Sequence, residues 1–350
     1  MAQRLWLVVA LLLLLTACGG GGTNTSNTTT SSASGSNSTS SSTGSNSSPT
    51  GSSTTGSSSG TGSTNSSTGI AIKHVVVVVF ENADYSDVIG SSAMPYFNQL
   101  TTQYSLAAQF YAVTHPSLGN YFWMTAGQDP SALAQNPNGD PDQYTGTVSG
   151  DNVASEITKA GMSWKVYAQS LPSTGYTGTD VYPYFKHHNP FVYFDSVLGD
   201  PTQLANIVDF SQLSGDIGSG SLPAYSFIVP DAIHDGHDCP NGSNASNCAI
   251  TDRLAEIEGF LKNELAPLLT NSAIMANTVV VLTFDESETD DTMGGGHIPV
   301  AILGRPVKTA YQSNNTYQFP SLLRFSLQSL GVSTYPGAAA NAAPMTEFLK

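Results

Sequence analysis

Short, strongly apolar runs recur along the chain beyond about residue 70, and polar or glycine-rich segments separate them. Five of these runs are apolar at successive positions, so both faces of an extended chain would be buried. That pattern is typical of strands in a parallel sheet that helices cover on both sides. The predicted strands are residues 75–80, 164–168, 225–229, 278–284 and 300–303.

Helical periodicity occupies the segments between the predicted strands. It is clearest over about residues 251–269, and a second helix is predicted around residues 320–330. The alternation predicts an α/β fold with a doubly wound, mostly parallel sheet sandwiched by helices. No linker interrupts about residues 70–350, which therefore predict one compact domain. The apolar positions of the first helix are Leu254, Ile257, Leu261, Leu265 and Leu268.

The N-terminal part of the chain has a different composition. An apolar run of about eleven residues follows Arg4 and is too short to span a bilayer of roughly 30 Å, so residues 1–17 are interpreted as a signal peptide. Residues 19–69 contain 49 Gly, Ser, Thr or Asn among 51 positions. Such a tract buries too little apolar surface to offset the entropy of ordering, and it predicts a disordered tether that reaches roughly 40 Å.

The segment Leu15-Thr16-Ala17-Cys18 resembles the bacterial lipobox, in which the cysteine is lipidated and becomes the first residue of the mature protein. The resemblance implies a lipoprotein of the bacterial cell envelope, anchored in a membrane through Cys18 and facing the periplasm or the exterior. The alternative is an ordinary secretory signal with an incidental cysteine. Residues 18–69 are accordingly interpreted as lipidated cysteine and tether, and residues 70–350 as the folded domain.

Almost all of the charge lies in the predicted domain. Arg4 is the only charged residue before Lys73, and the whole chain has 11 Lys and Arg against 26 Asp and Glu. A nucleic-acid-binding protein would show a basic face, so that class is disfavoured, and we expect a monomer without a nucleic-acid partner. If the ligand of so acidic a domain is itself an anion, the domain must hold it with a metal ion or with local hydrogen-bond donors.

Two cysteines remain beside Cys18. Cys239 and Cys248 lie nine positions apart in a polar segment. An oxidising compartment would join them in a small loop disulfide, and this is the favoured interpretation. Two free thiols or half of a zinc site are the alternatives.

Three of the predicted strands end in acidic residues. In open α/β sheets, ligands bind outside the carboxyl ends of the strands, so these residues are expected to share one crevice. Crowded carboxylates raise each other's pKa, and a divalent cation removes that cost. Any one pair could instead be a helix N-cap, but the three together favour a metal site. The residues are Glu81 and Asn82, then Asp231, His234, Asp235, His237 and Asp238, and finally Asp285 and Glu286.

A serine stands in a second segment with catalytic potential. Ser117 follows Pro116 and precedes Gly119, and His115 and Asn120 are close by. Metal coordination lowers the pKa of a serine hydroxyl, and an asparagine amide can donate to a phosphoryl oxygen. Taken alone, the segment also fits a Pro-Ser turn that caps a helix.

Five blocks in order resemble the phosphoesterase family of bacterial phospholipases C and single-metal acid phosphatases, within the alkaline phosphatase superfamily. They span about residues 73–304. The resemblance implies an alkaline-phosphatase-like fold and metal-dependent cleavage of a phosphate ester. The blocks are residues 73–82, 114–121, 188–191, 235–239 and 284–286.

The same resemblance implies a role for individual residues. One metal-binding pair matches Glu81 and Asn82, and a second matches Asp285 and Glu286. Ser117 stands where related nucleotide-cleaving phosphodiesterases place their threonine nucleophile, three residues before the phosphate-binding asparagine. The substrate-binding residues are then Asn120 and Asn189. The histidines that would contact the phosphoryl group or protonate the leaving oxygen are His115, His188 and His237, oriented by Asp235 and Asp238.

Some positions depart from the family pattern. Gly119 replaces the usual proline, which implies a looser turn at the nucleophile, and His234 stands where asparagine is common. Two-metal members need a further Asp/His/His set, which Asp231, His234 and His297 match only in part. One divalent cation is therefore expected and two remain open. His297 is either a ligand or a solvent-facing loop residue, and His74 and His187 are interpreted as structural.

The favoured function is an exported, metal-dependent phosphomonoesterase of the acid-phosphatase type, with Ser117 as nucleophile and a phosphoseryl intermediate. A phospholipase C-type or phosphoinositide-directed phosphoesterase is the alternative within the same family. A tethered solute-binding lipoprotein is the alternative of another class. It would share the export signal and an α/β fold, but it would need neither a nucleophile nor acidic strand ends that converge.

Overall fold

Nine strands form a single sheet in the part of the chain that the computed structural model describes, residues 70–130 and 141–350. The predicted signal peptide, Cys18 and the tether lie outside the described residues. The strands are β1 (His74–Phe80), β2 (Ser105–Tyr111), β3 (Trp164–Ala168), β4 (Ile207–Asp209), β5 (Tyr225–Val229), β6 (Thr278–Phe284), β7 (His297–Leu303), β8 (Tyr311–Ser313) and β9 (Tyr317–Gln318). Their order is β4-β3-β5-β1-β6-β7-β2-β8, and β9 also pairs with β2.

The centre of the sheet is parallel and fully buried. β1 pairs with β5 on one side and with β6 on the other, with Val77 opposite Phe227 and Val281. All seven residues of β6 are buried, as the continuous apolar runs predict for strands covered on both faces. Because β1, β5 and β6 are parallel neighbours, their carboxyl ends lie side by side at one edge.

The sheet changes direction on one side. β7 runs antiparallel to both β6 and β2, whereas β3, β4, β5, β8 and β9 pair in parallel with their neighbours. The prediction of a mostly parallel, doubly wound α/β fold is confirmed. The five predicted strands are present, but the sequence pattern did not identify β2, β4, β8 and β9.

Helices cover the sheet. They are α1 (Tyr85–Val88), α2 (Pro95–Gln103), α3 (Ser117–Thr125), α4 (Val153–Lys159), α5 (Asp195–Leu198), α6 (Pro201–Leu204), α7 (Gln212–Ser219), α8 (Ile250–Asn263), α9 (Ala266–Leu269), α10 (Ser272–Met275) and α11 (Phe319–Ser329). The single helix predicted over about 251–269 is wrong at one point, because α8 ends at Asn263 and α9 begins at Ala266. Pro267 lacks the N–H that a continuous helix would need there.

Cys239 and Cys248 are joined by a disulfide, as the sequence predicted. The bridge closes the loop that leads from β5 towards α8, and the Cys239 backbone N–H donates to the Ser243 carbonyl at 2.8 Å.

Over residues 70–130 and 141–350, the structure contains no helix with the length and apolar character needed to cross a bilayer.

Candidate active site

Backbone hydrogen bonds join the loops that follow β1, β5 and β6. The Glu81 N–H donates to the Asp235 carbonyl at 2.8 Å, and the Ala83 N–H donates to the Glu286 carbonyl at 3.2 Å. The Asn82 N–H donates to Asp285 Oδ1 at 3.1 Å, with Asn82 at a φ of 46°. These contacts bring the acidic residues after the three strands to one place.

Four carboxyl groups are buried at this junction. Glu81 and Asp285 are 0% exposed, Asp235 is 1% exposed and Glu286 is 7% exposed. Burial, reinforced by neighbouring carboxylates, raises the pKa of Glu81 and Asp235 well above their ordinary values. Burial likewise raises the pKa of Asp285 to about 6 and that of Glu286 to about 8. A divalent cation at this junction would offset the cost of ionising these groups.

Glu81 accepts two hydroxyl hydrogen bonds from α3. Ser117 Oγ donates to Glu81 Oε2 at 2.9 Å, and the Tyr121 hydroxyl donates to Glu81 Oε1. Ser117 is the first residue of α3 after Pro116 at the N-cap, and it is 3% exposed. The local alternative from the sequence, a serine that merely caps the helix, does not describe this geometry, because the Ser117 side chain points to Glu81.

His188 lies between Glu81 and Asp235. Its Nδ1 is 3.1 Å from Asp235 Oδ2 and its Nε2 is 3.6 Å from Glu81 Oε2. The ring stacks on Tyr121, with centroids 5.5 Å apart. His188 is 1% exposed, and burial lowers its pKa well below the ordinary value, so the imidazole is neutral and free to act as a ligand.

The donor set fits a divalent cation. Glu81, His188 and Asp235 offer ligand atoms that all lie within 4.8 Å of one another, the one such group of three among the described residues. Three atoms of the site are buried without a hydrogen-bond partner among the described residues, namely Asn82 Oδ1, Asp285 Oδ2 and His188 Nε2. Carboxylate and amide oxygens with one imidazole suit Mg²⁺, Mn²⁺ or Zn²⁺. The sequence assigned His188 and Asp235 to other roles, so it did not predict this group of potential ligands.

A second wall of the site is built on Glu286. Its Oε2 accepts from Asn120 Nδ2 at 3.2 Å and lies 3.2 Å from His115 Nδ1. The hydrogen bond between His115 and Glu286 raises the pKa of His115 to about 9. Asn120 Oδ1 accepts from the backbone N–H groups of Val113 and Thr114 at 3.0 and 3.2 Å, so Asn120 also fixes the segment that carries His115.

Asn189 and His237 are two further predicted site residues, and they differ in exposure. Asn189 is fully buried, its Nδ2 is 3.4 Å from the Tyr184 hydroxyl, and its Oδ1 has no hydrogen-bond partner among the described residues. His237 Nδ1 lies 2.9 Å from Asp238 Oδ1, and its backbone N–H donates to Asp235 Oδ1 at 2.8 Å. The His237 side chain is 29% exposed and can meet a substrate.

Several sequence-predicted residues lie elsewhere. Asp231 accepts from Ser170 Oγ at 2.8 Å and lies 2.7 Å from His234 Nδ1. His297 is stacked between the rings of Tyr85 and Tyr111, with its Nε2 2.9 Å from the Ala108 carbonyl. Neither Asp231 nor His297 belongs to the described group of potential metal ligands.

The two histidines that were interpreted as structural also have partners of their own. His74 Nδ1 is 2.9 Å from the Pro223 carbonyl, and His187 Nδ1 is 3.4 Å from Asp180 Oδ2. Both histidines therefore have a role in the fold.

Tyr121 is the residue of the site that sequence reasoning missed. It is fully buried, donates to Glu81 and stacks on His188. A signal for it exists, because residues four apart share a helix face and Tyr121 is four positions after Ser117. The two hydroxyls therefore reach the same carboxylate.

Solved structures of low sequence identity share the fold. A lipoteichoic acid synthase from Listeria monocytogenes has a TM-score of 0.53 at 13% identity, covering 76% of this chain and 74% of that chain. A protein of the alkaline phosphatase superfamily from Vibrio parahaemolyticus has a TM-score of 0.52 at 13% identity, covering 79% of this chain and 72% of that chain. The sheet with its covering helices is thus an alkaline-phosphatase-type fold.

Curated relatives are phosphatases by name. A probable acid phosphatase from Kluyveromyces lactis is 32% identical over 258 residues, which are 69% of this chain and 56% of that protein. An acid phosphatase from Aspergillus fumigatus is 32% identical, over 69% of this chain and 53% of that protein. The chain therefore spans little more than half the length of these fungal relatives.

A bacterial relative matches over more of its length. A phosphatidylinositol-3-phosphatase from Mycobacterium tuberculosis is 32% identical over 278 residues, which are 79% of this chain and 82% of that protein. The model of the phosphoesterase family matches residues 90–332. With the fold and the buried acidic site described above, these matches show that the chain belongs to the phosphoesterase family.

Proposed function

We propose that the protein is an exported, metal-dependent phosphomonoesterase of the acid-phosphatase type, with Ser117 as its nucleophile. The observation that carries the proposal is the 2.9 Å hydrogen bond from Ser117 Oγ to Glu81 Oε2, inside the cluster of buried carboxyl groups. A solute-binding protein has no need of a serine in that position. A phosphoesterase that attacks through serine does need one there, because the hydroxyl must lose its proton as it attacks.

The first step is attack by Ser117 Oγ on the phosphorus of the bound ester. The Oγ–P bond forms as the bond from phosphorus to the leaving oxygen breaks, and the hydroxyl proton passes towards Glu81 Oε2. Ser117 is the first residue of α3, a nine-residue helix, whose positive N-terminal end stabilises negative charge on the serine and on the phosphoryl oxygens.

A divalent cation would be held by Glu81, His188 and Asp235, with the unpartnered oxygens of Asn82 and Asp285 as further ligands. When bound, it supplies positive charge that lowers the pKa of a coordinated hydroxyl and offsets the charge of the phosphoryl group. The protein's own contribution is to hold these donors rigidly, since three loops are tied together by backbone hydrogen bonds.

The leaving oxygen needs a proton, and His237 is placed to donate it. Its Nδ1 faces Asp238, so Nε2 is the nitrogen available to the exposed side of the site. The amide of Asn189 and the imidazole of His115 supply polar contacts for the phosphoryl oxygens. The alcohol then departs and leaves phosphoserine at position 117.

Water completes the cycle. His237, having given its proton to the leaving alcohol, accepts one from the water that attacks the phosphoserine phosphorus. The Oγ–P bond breaks, Ser117 recovers its proton and phosphate is released. Atoms and protons balance without any co-reactant other than water.

Monoesters are the favoured substrates because the curated relatives are named as acid phosphatases and a phosphatidylinositol-3-phosphatase. The bacterial relative, which matches over 82% of its own length, makes a phosphoinositide monoester the second candidate. A diester cleavage of the phospholipase C type receives no comparable support. We further infer export and anchoring through a lipid on Cys18, from the sequence of residues 1–69.

The test replaces Ser117 by alanine in the full chain. We expect S117A to lose aryl phosphate hydrolysis by about three orders of magnitude or more. It should remain folded and lose about 1–3 kcal/mol of unfolding free energy at most, because Glu81 Oε2 loses its hydroxyl partner. Mass spectrometry of acid-quenched parent enzyme should find phosphate on Ser117. S326A is the matched control, because Ser326 is 1% exposed and its hydroxyl donates within α11.

Full activity in S117A would exclude the serine as nucleophile. Activity that is unaffected by a strong chelator would exclude the metal. Parallel assays with an aryl monoester, an aryl diester and vesicles that contain phosphoinositide monoesters separate the substrate classes. Tight phosphate binding without turnover of any ester would favour the solute-binding alternative.

A further inference from the structure

Arg253 is a buried cation that the proposed reaction does not use. It lies in the first turns of α8, is 2% exposed and is the only buried Lys or Arg among the described residues. Its Nη1 donates to the Gly236 carbonyl at 3.1 Å, and its Nη2 donates to Glu288 Oε2 at 2.6 Å. Burying a guanidinium costs several kcal/mol of desolvation free energy unless its hydrogen-bond partners are well placed. The two partners of Arg253 are therefore important for its role.

Both partners belong to site loops. Gly236 lies between Asp235 and His237 in the loop after β5, and Glu288 follows Glu286 by two residues in the loop after β6. The planar guanidinium donates in two fixed directions at once, which a flexible ammonium does not. Arg253 therefore ties the loop that carries Asp235 to the loop that carries Asp285 and Glu286.

Asp84 extends the tie to the loop after β1. Its Oδ1 accepts from the backbone N–H groups of Glu288 and Thr289 at 2.8 and 3.0 Å, and its Oδ2 accepts from the Thr289 hydroxyl. The three loops that supply the buried carboxyl groups are thus connected to one another through the side chains of Arg253 and Asp84.

The Gly236 backbone rests directly on α8. Gly236 has a φ of +93°, and a Cβ atom there would lie 2.7 Å from Ile257 Cδ1 and 3.6 Å from the Glu81 carbonyl. Ile257 is four residues after Arg253, so both side chains share one face of the helix. That face seats the loop, and the Arg253 hydrogen bond fixes the direction of its carbonyl.

We propose that Arg253 is a positioning residue of the active site, which holds the Asp235–His237 loop and the Asp285–Glu288 loop in the arrangement that binds a divalent cation. The inference rests on the proposed function, but its central prediction concerns cation binding and loop order. It assigns Arg253 no contact with substrate. A salt bridge that only stabilises α8 is the competing explanation.

The experiment compares R253M, R253K and E288Q in the full chain with the control R324M. Arg324 is a half-buried arginine that also donates to backbone carbonyls, those of Ala340 and Ala342 at 3.2 and 2.9 Å, but its partners lie outside the site loops. Mn²⁺ is the probe, titrated by calorimetry. Hydrogen–deuterium exchange is followed in peptides covering residues 231–240 and 284–292.

We expect R253M to weaken Mn²⁺ binding by about tenfold or more, as loss of groups that orient metal ligands does, and to speed exchange in both site peptides. R253K keeps the positive charge but not the two fixed donor directions of the guanidinium, so it should recover only part of the Mn²⁺ affinity. E288Q keeps an acceptor oxygen and should lie closer to the parent. R324M should lower the thermal midpoint without changing Mn²⁺ affinity.

Parental Mn²⁺ affinity and parental exchange in R253M would overturn the proposal, as would equal losses in R253M and R324M or full rescue by lysine. If R253M does not fold, R253K still decides, because parental Mn²⁺ affinity and parental exchange in R253K would contradict a positioning role. A parent protein that binds Mn²⁺ but hydrolyses no phosphate ester would refute the proposed function alone and leave this comparison valid.

Discussion

Two hydroxyl groups one helical turn apart donate to the same buried carboxylate, and they have different roles at the residue scale. Ser117 is the proposed nucleophile, whereas Tyr121 occupies the other oxygen of Glu81 and lies against His188. Tyr121 thereby sets the rotamer of Glu81, leaving Oε2 for the serine. Burial raises the pKa of Tyr121 well above its ordinary value, so the phenol remains a hydrogen-bond donor.

Replacing Tyr121 by phenylalanine keeps the ring and removes the donor. We expect Y121F to lose about 1–3 kcal/mol of unfolding free energy, because Glu81 Oε1 is left buried without its partner. Hydrolysis of an aryl phosphate should fall by about tenfold or more in kcat/KM as Glu81 becomes less well oriented. Chemical denaturation and steady-state kinetics provide the two measurements.

Y225F is the control for this prediction. Tyr225 is 1% exposed but begins β5, at the end of the sheet opposite the site. Its loss of a hydroxyl should leave kcat/KM unchanged. Parental kcat/KM in Y121F, or an equal loss in Y225F, would show that Tyr121 does not position the site.

The site residues that the sequence could predict are those that follow apolar strands. Glu81, Asp235 and Asp285 needed only the rule that parallel strands end at one edge. The ligand group with His188 could not be predicted, because His188 comes from a short 3₁₀ turn, Lys186–His188, whose position depends on the packing of the surrounding loops. Tyr121 and Arg253 were hidden for a similar reason, since each lies on a helix whose facing partner is distant in sequence.

At the scale of the element, the first turn of α3 is the most constrained. The sequence predicted a looser nucleophile turn because Gly119 replaces proline. In the structure, a Cβ atom at position 119 would lie 2.6 Å from Thr114 Cγ2 and 2.7 Å from Asp129 Oδ2. The turn is therefore closely packed, and Thr114 belongs to the segment that carries His115.

The G119A variant weighs helix propensity against this packing. Alanine is favoured over glycine in a helix by about 0.5–1 kcal/mol, whereas overpacking costs about 1–3 kcal/mol. We expect a net loss of stability and a lower kcat, because the side chains of Thr114 and Asp129 must both shift and Thr114 is next to His115. Thermal unfolding and aryl phosphate kinetics measure both.

G259A offers the matched comparison. Gly259 is also helical, in α8, but a Cβ atom there would meet no atom within 4 Å. Propensity should dominate, so G259A should raise the thermal midpoint. A stabilised and fully active G119A would contradict the close packing at α3.

Element prediction succeeded where burial is complete and failed at the periphery. The central strands β1, β5 and β6 are long apolar runs, and β6 is buried at every position. β4 has three residues and β9 two, which is too few for any periodic pattern. β2 mixes Ser105 and Gln109 with small apolar residues, so its sequence is equally compatible with a helix.

At the scale of the whole molecule, the buried titratable groups of the site make the stability of the fold depend on pH. A group whose pKa is higher in the folded than in the unfolded state binds its proton more tightly when folded, so stability falls as pH rises between the two values. For Glu286 these values are 4.5 and about 8, and for His115 they are 6.5 and about 9. His188, with a lowered pKa, has the opposite sign, but only below its ordinary value of 6.5.

The metal-free protein should therefore become less stable between about pH 6.5 and about pH 8. In a chelating buffer we expect the thermal midpoint to fall across this window. Excess Mn²⁺ should raise the midpoint and flatten its slope, because a bound cation offsets the carboxylate charge. E286Q should flatten the slope without metal. A midpoint that rises with pH in chelator would contradict the assignment of the buried charge.

The proposed attachment to a membrane also concerns the whole molecule, and the proposal rests on Cys18 and the 51 residues that follow at positions 19–69. C18S in the full chain should not incorporate labelled lipid and should move from the washed membrane fraction to the soluble fraction, whereas S26A in the same tract should stay with the parent. Both variants should hydrolyse a soluble aryl phosphate equally, since Cys18 is remote in sequence from every site residue.

Against a phosphate monoester embedded in vesicles, the anchored parent should be faster, because tethering raises the effective concentration of substrate at the site. An unlabelled parent, or C18S that remains in the membrane fraction, would leave an ordinary secretory signal as the interpretation of residues 1–17.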